Sequence, residues 1–472
     1  MNLPDPTACR IERDALGELP VPADAYFGIH TQRAVENFPI SGVLLSAFPE
    51  FIRALAQVKA AAALANAELG ALSADKRDAI LAACTDIGAG ALRDQFVVDM
   101  VQGGAGTSTN MNANEVIANL ALEKLGQAKG RYDFLHPNDD VNASQSTNDV
   151  YPTAMRLAIL ANVRPLQDAL REIRAAFEDR AAAFAEVLKV GRTQLQDAVP
   201  MTLGAEFKGF AVTVGEDIDR LGEAARLLVE VNLGGSAIGT AINVPEGYGA
   251  RAVGHLARLS GFALVQASDL IEATSDLGAF VTFSGVLKRI AIKLSKICND
   301  LRLLSSGPRA GLGEISLPAV QAGSSIMPGK VNPVIPEVMN QIAFQVIGAD
   351  LTIAFAAEAG QLQLNAMEPV AILSLLQSMR MLTRGIETLS RRCVAGIEAR
   401  TETCRAQLDG SLAMATVLVP ILGYDLAARI AKTAMAGNCP MRVAMEQLGV
   451  TDPAAYQAIE APGRLLAAAG AV

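Results

Sequence analysis

Apolar positions repeat on a helical period through the middle of the chain. Leu287, Ile290, Leu294, Ile297, Leu301 and Leu304 follow one another at spacings of three and four, which places them on one face of a long packed helix. Leu166, Leu170, Ile173, Phe177, Ala181 and Phe184 form a second such seam, with Arg171, Glu172 and Arg174 off it. Ala/Leu-rich stretches near Phe51–Leu69, Ala205–Val231, Val334–Glu358 and Val370–Gly396 predict further helices. A helix of about 30 residues reaches about 45 Å, so several side by side predict a bundle. Period-two alternation is nearly absent. The pattern therefore predicts a mainly all-α fold, with heptad-like seams able to serve contacts between copies.

One segment breaks the pattern. Ser305–Pro333 carries Gly307, Pro308, Gly311, Gly313, Pro318, Gly323, Pro328, Gly329 and Pro333 between two helical stretches. A loop of that length inside a compact bundle is usually functional. Its Leu312, Ile315, Leu317, Ile326 and Met327 make it more apolar than a linker.

Composition sharpens this reading. The 472 residues are 51% hydrophobic and 19% charged, enough for a large core in two or three domains. Aromatics are 4% with no Trp, and the Ala/Leu excess favours helix. A net charge of −9 without a basic tract argues against nucleic acid as a partner. It also requires any anion site to build its own positive potential. Six scattered cysteines without a CxxC pair, and three histidines without HExxH, read as reduced thiols and no transition-metal centre. Met1–Gly17 has no apolar stretch, and uncharged runs such as Gly410–Tyr424 are too short for a membrane span. The chain reads as soluble and cytoplasmic.

Four polar segments stand out: Gly103–Glu115, Ser144–Asp149, Gly191–Asp197 and Gly323–Pro333. Each taken alone is explained by turns and helix caps. Together they offer many hydroxyl and amide donors with one lysine and one arginine, a set suited to a small dicarboxylate. The fourth is not a phosphate loop. Five residues separate Gly323 from Gly329, Val331 follows Lys330, and helix instead of strand precedes it.

Gly323-Ser-Ser-Ile-Met-Pro-Gly-Lys-Val-Asn332 resembles the signature of the aspartase/fumarase superfamily, whose members release fumarate from substituted succinates. The likeness runs from Arg10-Ile-Glu12 to the helices before Ala399 and is looser around Gly423-Tyr-Asp. It implies a three-domain fold divided as 1–144, 145–399 and 400–472, with a central bundle of long helices shared in a homotetramer whose sites draw on three subunits. Fumarases usually carry Thr-His where this chain has Thr193-Gln194. Gly103–Asn119, Ser305–Gly311 and Glu358–Pro369 look like the aspartase branch. The resemblance thus implies anti-elimination of ammonia from L-aspartate through an aci-carboxylate, with no required cofactor and with activation by a divalent metal allowed. A hydratase, a lyase for another amino-substituted succinate, and a non-catalytic homologue are the alternatives. The last would be expected to lack Ser324, Lys330 or Asn332, all present here.

Roles carry over by position. Ser324 is the implied base. Lys330, Asn332 and Thr193 would bind the α-carboxylate. Thr107, Ser146, Thr147 and Ser325 would hold the β-carboxylate, where charge builds. Asn148, with Thr107 and Gln194, would contact the amino group. Glu337, which pairs with the histidine in fumarases, would be structural beside the start of the following helix.

Overall fold

The computed structural model describes residues 9–323 and 326–461. Its helices, in chain order, are α1 (Ile29–Asn37), α2 (Pro49–Glu68), α3 (Ala74–Gly88), α4 (Thr107–Lys124), α5 (Thr147–Ala183), α6 (Leu203–Ala225), α7 (Tyr248–Ser260), α8 (Leu270–Ser275), α9 (Gly278–Leu304), α10 (Val334–Glu358), α11 (Glu368–Arg392), α12 (Thr401–Gly410), α13 (Met414–Leu422), α14 (Tyr424–Gly437), α15 (Met441–Gln447) and α16 (Pro453–Glu460). Both heptad-like seams lie on long helices, α5 and α9, except that Phe184 falls just past the end of α5.

The sparse sheet is four two-stranded pairs among the described residues: β1 (Cys9–Asp14) with β2 (Gly17–Pro22), β3 (Leu188–Thr193) with β4 (Gln196–Thr202), β5 (Glu230–Val231) with β6 (Val265–Gln266), and β7 (Ile315–Ser316) with β8 (Glu398–Ala399). Apart from β7, the Ser305–Pro333 stretch carries no regular element among its described residues.

Two compact units divide the chain. The first comprises Met1–Leu166, Arg220–Lys288 and Gln345–Met381; the second comprises Gln167–Asp219, Arg289–Phe344 and Leu382–Val472. In the first, α2 packs on α3 and α7 and α3 packs on α4, around buried Phe51, Leu55, Val58, Ile80, Ile87 and Val116. Tyr151 meets Phe51 edge-on at 5.4 Å. In the second, Phe177, Phe184, Phe207 and Phe210 form an aromatic cluster with centroids 5.3–6.2 Å apart, each pair adding about 0.5–1.5 kcal/mol beyond its buried area. Leu408, Leu418, Ile430, Met441, Ala444 and Met445 close a further core that includes Val190 of β3.

A buried carboxylate fixes the first helix. Glu115 of α4 accepts hydrogen bonds from the backbone N–H groups of Gly28 (2.8 Å), His30 (2.8 Å) and Thr31 (3.1 Å) and from the Thr31 hydroxyl (2.6 Å). These are the orphan donors of the α1 N-terminus, where negative charge is favoured. Burial pushes the Glu115 carboxyl up to about 7 against the pull of its donors. Glu115→Ala should therefore destabilise the fold by about 3 kcal/mol or more, because several buried donors lose their acceptor at once. A thermal midpoint equal to the parent's would show that water replaces the carboxylate at no cost.

Among the described residues one helix, α10, is long and apolar enough to cross a membrane by length and composition, and only 28% of its most apolar window is buried. Phe344 (63% exposed), Ile347, Leu351 (59%) and Phe355 (65%) run along it at spacings of three and four.

Candidate active site

The first unit holds the Thr107 and Ser146–Asn148 segments. Three successive positive-φ residues, Gly104 (90°), Ala105 (53°) and Gly106 (85°), turn the chain into α4. A Cβ on Gly106 would sit 2.3 Å from the Tyr151 ring, so this turn requires glycine. Thr107 follows as the first residue of α4, and its hydroxyl donates to the Gly104 carbonyl at 2.7 Å.

Ser146 and Asn148 flank Thr147, the first residue of α5. The Asn148 N–H donates to Ser146 Oγ at 3.2 Å. Asn110 Nδ2 donates to Thr147 Oγ1 at 3.1 Å. The segment is held from behind by Asp149, which is fully buried. Its carboxylate accepts from the Ser146 N–H (2.9 Å) and from the N–H groups of Gly234 and Ser236 (both 3.0 Å). Asn232 Nδ2 donates to the Asn148 carbonyl at 2.9 Å, and Asn148 Nδ2 donates to the Ala237 carbonyl at 2.7 Å. Asp149 thus spends its oxygens on the chain, and burial pushes its carboxyl up to about 6.

Lys59 of α2 lies close enough to act on Asp149 through space. Its side chain is fully buried, and Nζ donates to Asn142 Oδ1 at 2.7 Å. Burial pulls the ammonium down to about 7, opposed by the Asp149 charge. Lys59 did not figure in the sequence reading, and Asp149 figured only as the last residue of the Ser144–Asp149 segment. Much of the Gly103–Glu115 segment also serves the chain itself. Thr109 bonds Gln102 Oε1, Asn112 bonds the backbone of Gln95 and Val97, and Glu115 holds α1.

The second unit holds the other two segments. Thr193 and Gln196 pair across β3 and β4, so Gln194 and Leu195 alone make the hairpin turn. Both have left-handed φ, 54° and 63°, where Asn-Gly is the usual choice. Strain of about 1–3 kcal/mol per such residue is characteristic of functional turns. A buried ion cluster anchors the hairpin. Lys189 Nζ lies 2.6 Å from both Glu206 and Glu314, while Arg192 reaches Glu314 at 2.5 Å and Gln407 of α12 at 3.0 Å.

In the Gly323–Pro333 loop, Asn332 Nδ2 donates to the Gly323 carbonyl at 2.8 Å, closing the loop on itself. A Cβ on Gly323 would lie 1.8 Å from the Lys330 carbonyl oxygen, so no other residue fits this pinch. Lys330 is exposed. Ser324 and Ser325 lie outside the described residues. Glu337 sits in the first turn of α10, 4.0 Å from Arg302.

Long helices, a donor-rich α5 N-terminus and a glycine-pinched loop coincide with a known family. Residues 17–348 match the family model described as "Lyase", and residues 414–467 match "Fumarase C C-terminus". The chain belongs to this lyase family of the aspartase/fumarase superfamily. It is 57% identical over 459 residues to an aspartate ammonia-lyase of Pseudomonas aeruginosa, covering 97% of each chain. It is 55% identical over 416 residues to an aspartate ammonia-lyase of Escherichia coli, covering 88% of this chain and 87% of the other. Among solved structures it resembles a fumarate lyase:delta crystallin from Brucella melitensis bound to cobalt (TM-score 0.94, 58% identity, 97% and 99% covered). It also resembles a class II fumarase from Schistosoma mansoni (TM-score 0.91, 32% identity, 96% and 98% covered).

Proposed function

We propose that this lyase eliminates ammonia from L-aspartate to give fumarate, reversibly and with anti geometry. The observation that carries the reading is 57% identity over nearly the whole of both chains with a relative named for that activity, against 32% with a class II fumarase. The donor chemistry suits it. Ser324 takes the proton from the carbon beside the β-carboxylate. The electron pair moves into that carboxylate as an aci-carboxylate, then returns to form the double bond as the C–N bond breaks and nitrogen keeps its pair.

The charge that builds on the β-carboxylate needs aimed donors. Ser146, Thr147, Thr107 and Ser325 are assigned to it. Ser146 and Thr147 support this by accepting from neighbouring N–H groups, which leaves their own hydrogens to give. Thr107 has to release the Gly104 carbonyl before its hydroxyl can donate elsewhere. Asn148, its Nδ2 held on Ala237, has Oδ1 left to accept from the amino group, a role assigned also to Thr107 and Gln194. Lys330, Asn332 and Thr193 take the α-carboxylate, Asn332 by exchanging its bond to Gly323. A divalent metal enters only as an activator, and the reacting groups are all side chains of this protein.

The division into 1–144, 145–399 and 400–472 belongs to the same reading, supported at the C-terminal end by the apolar core that α12–α16 form together with Val190. So does a cytoplasmic homotetramer. Its support is the row of bare apolar side chains on α10, which a second copy would cover.

Incubation with L-aspartate, and separately with L-malate, tests the leaving group by fumarate absorbance. Fumarate from aspartate alone, with equal ammonia release, is expected; fumarate from malate would make the leaving group water. Lys330→Ala should raise KM for aspartate about 10-fold or more through loss of a charged contact. An unchanged KM would remove Lys330 from the site.

A further inference from the structure

A lysine buried to zero exposure, with Asp149 acting on it only through space and no carboxylate in direct contact among the described residues, is an expensive feature of a core. Lys59 forms no ion pair among the described residues, and its helix α2 is otherwise alanine-rich there. A methionine would fill the same space more cheaply. What the lysine adds, besides a charge that acts on Asp149 through space, is a donor aimed at Asn142, and an ammonium can only donate.

That constraint propagates. Facing Lys59, Asn142 must present Oδ1, and it does, at 2.7 Å, with its Nδ2 turned to the Gln145 carbonyl at 3.2 Å. The same Oδ1 faces Asn110, which must therefore present Nδ2, at 3.1 Å. The second hydrogen of that Nδ2 goes to Thr147 Oγ1, also at 3.1 Å. Asn110 Oδ1 is buried and has no partner, so nothing on its other side sets the amide's orientation. Thr147 Oγ1 is thereby made an acceptor on its inner side. Its own hydrogen finds no acceptor among the described residues and is left to point away from the relay.

We infer that Lys59, through Asn142 and Asn110, fixes Thr147 as an outward hydrogen-bond donor, making all three positioning residues for the carboxylate that gains charge in the transition state. The inference rests on the reading that Thr147 contacts that carboxylate. The relay costs no reorganisation during the reaction, the property that makes fixed donors effective.

The test uses the full-length enzyme with L-aspartate and with a nitronate analogue that mimics the aci-carboxylate. Asn110→Asp keeps the shape but replaces the Nδ2 donor by an acceptor, so Thr147 turns its hydrogen inward. The variant should lose about 100-fold in kcat/KM, more through kcat than KM, with a similar loss in nitronate affinity. Thr147→Val should lose about as much. In the Thr147→Val background Asn110→Asp should cost no more than about threefold further, since the hydroxyl it orients is gone.

Lys59→Met supplies the same cycle if Asn110→Asp does not fold, with an expected loss of about 10-fold that disappears in the Thr147→Val background. Multiplicative losses in either cycle would show that the partner acts independently of Thr147 and overturn the relay. Native activity in Lys59→Met would do the same. Native activity in Thr147→Val itself would overturn the site reading, and the relay with it.

Discussion

Ser324→Ala should cut turnover of L-aspartate by about 1,000-fold or more, within the range a positioned general base contributes. The proton to be removed is on carbon beside a carboxylate and is very weakly acidic. No hydroxyl removes it as a neutral group at ordinary pH. The base must be held as an alkoxide by backbone N–H groups and positive charge. The Gly/Ser-rich composition around Ser324 is suited to this. Next to Ser324, Gly323 is pinched against the Lys330 carbonyl and tied by Asn332.

Alanine at 324 removes the oxygen without altering either tie, so helix content and assembly should match the parent's. Two measurements separate loss of the base from loss of binding. Deuterium from solvent should cease to enter the β-carbon of aspartate, while aspartate should still protect the variant against thermal unfolding. Turnover within tenfold of the parent's would give the role of base to another group.

How much of this could be read without coordinates depends on which interactions are periodic. The seams of α5 and α9 were legible because one face meets a core at every turn. α10 was legible as a helix, with the same bounds, Val334–Glu358. Periodicity cannot tell a face buried within the chain from one left bare, and Phe344, Leu351 and Phe355 prove to be bare. The β3–β4 hairpin was missed for a different reason. Its inward positions include Lys189, with Arg192 partly buried beside it; Lys189 pairs with Glu206 and Glu314, and Arg192 with Glu314, the latter far away in sequence. A strand whose buried face is ionic shows no apolar alternation.

At the site, the resemblance supplied the donor segments, but not what holds them. Lys59 sits in an alanine-rich helix, where a single lysine reads as a solvated charge. Only closure of α2 over Asn142 reveals it as buried. Of the polar run Gly103–Glu115 the resemblance assigns only Thr107 to substrate, and Thr109, Asn112 and Glu115 are committed to the chain's own backbone and side chains. Polar residues at high density signal that something must be satisfied; the sequence does not say whether it is substrate or protein.

Leu351→Glu combined with Phe355→Glu on α10 should break the proposed homotetramer and abolish activity together. These side chains are 59% and 65% exposed in the single chain and stand one helical turn apart. In water, such a stripe on a helix that is apolar along its length favours association. A symmetric assembly repeats each substitution in every subunit. Two carboxylates per chain then have to be buried, at several kcal/mol each, without a partner. Neither residue is among those assigned to substrate, so loss of activity would come through assembly alone.

Sedimentation velocity should show species smaller than a tetramer, with helix content retained because both positions are solvent-facing within the chain. Activity should fall in proportion to the tetramer lost, as the proposed site drawing on three subunits requires. Intact tetramers would move the interface away from this face of α10. Dissociated chains with full activity would mean that each chain completes its own site, and the assignment of residues from three subunits to one substrate would fail.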